Sequence, residues 1–205
     1  MKIFITRHAQ TVWNAEKRMQ GCHDSALTEK GIENAKKLGE SLKYMDFDAI
    51  HCSPLRRAVD TANYIREYNN TELVLNDDFK EMNYGVWEGM TFDEINEKYP
   101  VEYDNFINKP HIFETMGGES YDSVINRVKN GLANIINNNE GKNILVVTHT
   151  AIVKAIILIA KDNPLEKFWS PPYIGDTSLT ILEVIDGKIK LSLEVDSSHL
   201  DRFFL

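Results

Sequence analysis

Two cysteines in 205 residues, Cys22 and Cys52, are too few for a disulfide framework, and their spacing matches no metal site. They read as reduced thiols in a reducing compartment. A basic excess is also missing. Lys and Arg number 23 against 31 Asp and Glu, a net charge of -8, which excludes the broad basic face that a nucleic-acid partner demands. The same balance disfavours a highly anionic ligand unless basic residues gather at one place. No apolar run is long. The longest, Ala151 to Ala160, is interrupted by Lys154 and falls short of the roughly 20 residues of a membrane span. The opening apolar stretch is too short for a signal-peptide core and meets Arg7 at once. Internal repeats and low-complexity tracts are absent. The expectation is a cytoplasmic protein with no nucleic-acid and no membrane partner.

What is present suits one globular domain over residues 1–205, given a prior of about 150 residues per domain. Lys2 to Thr6 is apolar and rich in β-branched and aromatic residues, a buried strand. The polar stretch Gln10 to Ala26 reads as a loop with one helical turn. A helix follows Thr28, a good N-cap, with Ile32, Ala35, Leu38, Gly39 and Leu42 on one face. Asp48 to Cys52 is a second strand. Ser53-Pro54 reads as the cap and first position of a second helix. Leu73 to Leu75 is a third strand. Residues 76–119 are less regular and rich in aromatics, with short helices at Thr91 to Lys98 and Val101 to Ile107. They read as an inserted helical lid over the sheet. Ser120 caps a long helix to Asn138. Asn143 to Thr148 is a continuous apolar run of the kind found in central parallel strands. A further helix covers Ala151 to Ala160. Asp186-Gly187 between two alternating runs signals a hairpin. Alternating strands and helices imply a three-layer α/β/α fold with a mostly parallel central sheet.

Chemistry in open α/β sheets gathers beyond the carboxyl ends of the strands. Two such ends carry a histidine, Thr6-Arg7-His8 and Thr148-His149. Neighbouring parallel strands lie about 4.8 Å apart, so both can face one ligand. Arg57 falls in the first turn of the helix after Ser53-Pro54, and helix N-termini favour anions. Two histidines, two arginines and two helix ends together make a phosphate site, since Arg grips phosphate oxygens in pairs.

These residues resemble the histidine phosphatase superfamily, in its phosphoglycerate-mutase-like branch. The resemblance rests on Arg7-His8-Ala9-Gln10-Thr11 with Asn14, Gln20-Gly21, Leu27-Thr28 with Gly31, and Ser53-Pro54-Leu55 with Arg57-Ala58 and Thr61-Ala62. Glu81 with Gly85 and Trp87-Glu88-Gly89, Gly118-Glu119-Ser120, and Val147-Thr148-His149 complete it. The set keeps the family's order from Arg7 to His149. It implies that His8 is a nucleophile that becomes a phosphohistidine. Arg7, Arg57 and His149 would hold the phosphoryl oxygens, and Glu81 would protonate the leaving oxygen and then activate water. Asn14, Gln20, Gly21 and Thr150 would line the substrate pocket. Glu88 is expected to be a structural acceptor or a surface group, and Trp87 to be core. The resemblance implies no metal and no cofactor.

The activity so implied is that of a metal-independent phosphomonoesterase acting on a small phosphorylated metabolite, a histidine acid phosphatase type of phosphoric monoester hydrolase. Phosphoglycerate mutase dependent on 2,3-bisphosphoglycerate is one alternative. Its members typically carry Glu-Arg-His-Tyr-Gly at the acid, where this chain has Glu81-Met82-Asn83-Tyr84-Gly85. A non-catalytic phospholigand-binding protein is another, since Ala9 and Thr150 stand where the family usually has glycine. That exchange implies a tighter pocket floor, because Gly alone tolerates φ > 0 freely. The late hairpin offers an edge for a homodimer.

Overall fold

The first strand, β1 (Lys2–Arg7), alternates its side chains between two apolar layers in the computed structural model, which describes residues 1–68, 70–139 and 141–201. Ile3 and Ile5 face one cluster, and Phe4 faces the other. β4 (Asn143–Thr148) repeats the pattern, with Ile144 and Val146 on the first face and Leu145 and Val147 on the second. This period-2 alternation with both sides apolar is what a doubly covered parallel strand requires.

Around them stand β2 (Ala49–Cys52), β3 (Leu73–Leu75), β5 (Leu179–Ile185) and β6 (Lys188–Asp196). The sheet order is β3-β2-β4-β1-β5-β6. The first four strands run parallel; β5 pairs antiparallel with β1, and β6 with β5. One face carries α2 (Glu29–Ser41) and α3 (Arg56–Ile65). The other carries α6 (Tyr121–Asn138) and α7 (Thr150–Ala160). The single helical turn near the first strand is α1 (Val12–Ala15). Among the described residues, no helix is long and apolar enough to cross a membrane.

Thr28 and Ser120 cap as expected, accepting from the amides of Gly31 and Ser123. Ser53 does not cap α3. Leu55 stays extended and the helix begins at Arg56, with no side-chain cap from Leu55. The Asp24 carboxylate instead takes the amides of Arg56 and Arg57, so the first turn is satisfied from a distant segment. Between β3 and α6, the chain forms α4 (Phe92–Lys98) and α5 (Pro100–Asn108) with short 3-10 turns. Trp87 is 1% exposed in an aromatic cluster with Tyr103, Phe106 and Phe113, which makes it core.

Candidate active site

Register decides where the two histidines meet. β1 and β4 pair in parallel with Arg7 opposite Thr148, so His8 and His149 follow at adjacent strand ends. Their ring centroids lie 5.1 Å apart. The His8 amide donates to the Thr148 carbonyl at 2.8 Å and locks the first residue beyond the strand.

The His8 ring is buried, and its Nδ1 lies 2.8 Å from the Ala9 carbonyl oxygen. A carbonyl only accepts, so Nδ1 carries the proton and Nε2 keeps its lone pair. Burial first, then the Arg57 and Arg7 charges, hold its pKa well below the usual histidine value. His8 is therefore a neutral imidazole with one nucleophilic nitrogen.

Arg7 and Arg57 are both buried and held by carbonyls rather than by strong ion pairs alone. Arg7 Nη1 donates to Ile174 O at 2.8 Å. Arg57 Nη2 donates to Gly21 O at 2.7 Å, and Nη1 to His23 O at 2.6 Å and to Asp24 Oδ1 at 2.7 Å. The Nε atoms of both arginines have no hydrogen-bond partner within the protein, and neither has His149 Nδ1. His149 Nε2 lies 2.7 Å from Ser53 Oγ, so the serine expected to cap α3 instead orients this ring. Leaving a buried donor unsatisfied costs about 1–3 kcal/mol, and two such guanidinium N–H groups on arginines that line one cavity with His8 mark a site built for a ligand with acceptor oxygens.

Glu81 is 7% exposed. Its Oε1 accepts from the amides of Met82 at 2.9 Å and Ala151 at 3.2 Å, the second being in the first turn of α7. Burial raises its pKa, against the opposing pull of the Met82 amide and of Arg57, Arg7 and Arg127. A carboxyl whose pKa is raised, lining one cavity with a histidine whose pKa is lowered, is suited to act as the acid of an acid and nucleophile pair.

The helix ends differ from expectation. The first amides of α3 are held by Asp24, whose carboxylate accepts from Arg56 N at 2.9 Å and Arg57 N at 3.3 Å. Glu81 takes the corresponding place at α7. Protein carboxylates satisfy these orphan donors, so positive charge at the site comes from the arginines. Ala9 and Thr150 carry no positive-φ backbone strain. Neither is among the residues with positive φ, and the Ala9 amide donates to Thr61 Oγ1 at 3.0 Å.

Arg7, His8, Asn14, Gln20, Gly21, Arg57, Glu81 and Thr150 line one cavity of about 510 Å³. His149 does not; it is fully buried behind His8. Glu88 is the acceptor expected, taking the amides of Cys22 at 2.9 Å and Tyr84 at 3.1 Å. Three contributors were not legible in the sequence. Asp24 acts across 33 positions on Arg57. Residues 169–174 supply a wall, and Lys154 pins that wall through the carbonyls of Ser170 and Pro172. The lone Lys154 inside an apolar helix was the one available signal. Among the described residues, no group of three His, Cys, Asp or Glu is placed to hold a metal ion.

Strand-end histidine, paired arginines and a buried carboxyl on an α/β sheet define a phosphoryl-transfer enzyme. The chain belongs to the histidine phosphatase superfamily, whose branch 1 model matches residues 3–197, and is a phosphatase of that family. It is 38% identical over 206 residues to phosphoserine phosphatase 1 of Hydrogenobacter thermophilus, covering 100% of this chain and 97% of the relative. The structure of Bacillus stearothermophilus YhfR superposes with a TM-score of 0.94 at 38% identity, over 97% of this chain and 98% of that one. A phosphoserine phosphatase mutant from Entamoeba histolytica, in complex with phosphoserine, superposes with a TM-score of 0.87 at 30% identity, over 97% and 98%.

Proposed function

We propose that the protein is a metal-independent phosphomonoesterase that hydrolyses small phosphorylated metabolites through a phosphohistidine on His8. The observation that carries this reading is the pair of buried arginines, Arg7 and Arg57, each with an unpartnered Nε, that line one cavity with a neutral His8. His8 Nε2 attacks phosphorus while the P–O bond to the alcohol breaks. The alcohol oxygen takes the Glu81 proton and leaves. Glu81, now a carboxylate, accepts a proton from water as its oxygen attacks the phosphohistidine. The P–N bond breaks, inorganic phosphate leaves, and His8 and Glu81 return to their starting protonation states. The arginines stabilise the charge of the transferring group, which is most of what phosphoryl transfer asks of a protein. A neutral nucleophile with a carboxyl of raised pKa suits a histidine acid phosphatase type of activity.

The phosphatase reading is favoured over the mutase because the stretch after Glu81 carries Met82 and Asn83, which add no cation for a second anionic group. The relatives named above as phosphoserine phosphatases support the same reading. A small phosphorylated metabolite is its partner in solution.

The test is phosphate release from an aryl phosphate with a metal chelator present, for wild type and His8→Ala. Turnover that survives the chelator and disappears in the variant is expected, together with acid-labile ³²P labelling of the wild type alone. Loss of turnover on chelation would overturn metal independence, and an active His8→Ala would overturn the intermediate.

A further inference from the structure

Glu81 stands outside every helix and strand, two residues past the 3-10 turn Asp77–Phe79. An acid on irregular backbone keeps its place only if other segments hold that backbone, and its carbonyls show which ones do. Arg127, on α6 and 46 positions away, donates Nη1 to Asp78 O at 2.8 Å and Lys80 O at 2.7 Å, and Nη2 to Glu81 O at 3.2 Å. The carbonyl left between them, Phe79 O, accepts from Thr148 Oγ1 at 2.7 Å. Four successive carbonyls ending at Glu81 are thus tied to two distant side chains. Gly131, four residues after Arg127, lets α6 come this close, since a Cβ there would lie 2.8 Å from Asp78 Cβ.

The guanidinium is itself fixed. Glu119 accepts from its Nε at 2.7 Å and its Nη2 at 3.0 Å, a two-point pair that sets the plane of the fork. Glu119 also grips the chain beyond the acid: its amide donates to Asn83 O at 2.8 Å, and its Oε2 accepts from Asn83 N at 3.4 Å. Arg127 and Glu119 therefore bracket Glu81 from both sides along the chain. Neither lines the substrate cavity. They line a second cavity of about 320 Å³, and Glu81 is the one described residue common to both. Their influence on the reaction must pass through Glu81.

We propose that Arg127, oriented by Glu119, is the positioning residue for Glu81, holding the backbone of the acid so that its carboxyl meets the leaving oxygen. This rests on the phosphatase reading above and on Glu81 as its acid. A proton donor must stand within hydrogen-bond reach of the atom it protonates, and a misplacement of about 1 Å can cost about a hundredfold.

The experiment compares kcat/KM for propyl phosphate and 4-nitrophenyl phosphate in wild type, Arg127→Met and Arg127→Lys. Methionine keeps much of the stem and removes the donors. The propyl ester, whose leaving group needs the proton, is expected to lose about a hundredfold in Arg127→Met. The nitrophenyl ester should lose far less, whereas a merely structural defect lowers both alike. Lysine keeps the charge without the fork and should lose nearly as much as methionine. In a Glu81→Gln background the Arg127→Met loss should vanish, because no acid is left to position. Equal losses for both esters, full recovery by lysine, or an undiminished loss beside Glu81→Gln would overturn the proposal. Amide hydrogen exchange reads the same clamp without turnover. The Met82 and Ala151 amides donate to the Glu81 carboxyl. In Arg127→Met they should exchange about tenfold faster or more, while Val146 in the buried centre of β4 keeps its rate. Unchanged exchange at Met82 and Ala151, or equal acceleration at Val146, would overturn the proposal. If wild type turned over neither ester, the phosphatase reading would fail, and exchange alone would decide whether Arg127 holds Glu81.

Discussion

At the scale of single residues the site works by setting two protonation states against each other. Burial and two arginines lower the His8 pKa and favour its neutral form, and burial raises the Glu81 pKa. Phosphoenzyme formation therefore fails at low pH as His8 protonates and at high pH as Glu81 ionises. Glu81→Gln removes the proton donor, and a general acid is worth about 10²–10⁴-fold. That loss should appear in full for alkyl phosphates. It should shrink for 4-nitrophenyl phosphate, whose leaving group needs little protonation. Equal losses for both esters in steady-state kinetics would deny Glu81 the acid role. Asp24 tests positioning. It holds Arg57 Nη1 at 2.7 Å and the first amides of α3. Asp24→Ala should lower kcat/KM and weaken vanadate inhibition, each about tenfold to a hundredfold, the worth of about 1.5–3 kcal/mol for a charged hydrogen bond. Asp24→Asn should recover part of the loss, since one acceptor oxygen remains. Unchanged vanadate affinity in the alanine variant would show that Arg57 needs no such support.

At the scale of elements, the loop between α1 and α2 carries much of the burden. Its carbonyls at Gly21 and His23 grip Arg57, and its Cys22 amide is tied to Glu88. Gly21 makes the turn possible with φ +56°, and a Cβ there would collide with the Glu88 carboxylate. Gly21→Ala should cost about 1–2 kcal/mol from the backbone alone, with more from displacement of Glu88. A lower Tm with a raised KM is the expected result, and a variant matching wild type in both would mean the loop is softer than its hydrogen bonds suggest. The hydrogen-bonding of α3 follows the same logic: Asp24 takes its first amides, and Ser53 Oγ lies 2.7 Å from His149 Nε2.

At the scale of the whole molecule, the buried site makes stability depend on pH. His8 and His149 have folded pKa values below their unfolded value of about 6.5. Below that pH the unfolded chain binds more protons than the folded one, so stability falls as pH falls. Glu81 acts with opposite sign, because its raised pKa lets the folded state take up a proton first. Tm measured from about pH 7 to 5 should therefore drop less in His8→Asn than in wild type, and more steeply in Glu81→Gln. Parallel curves for all three proteins would contradict the burial argument.

How much of this was legible depends on the range of the interaction. The strands, the capped helices at Thr28 and Ser120, and the hairpin at Asp186-Gly187 are local: a few neighbouring residues decide backbone conformation, and the sequence alone determines them. The ordered set from Arg7 to His149 likewise carries the family in its residue types. Tertiary structure decided what depends on contacts between distant segments. Asp24 rather than a ligand satisfies α3, His149 sits behind His8 instead of lining the cavity, and Lys154 fixes a wall sixteen to eighteen residues away. Whether a helix end, a ring nitrogen or an ammonium is free is settled by which partner the fold brings within hydrogen-bond reach. Such a partner leaves no periodicity or spacing in the chain that could announce it.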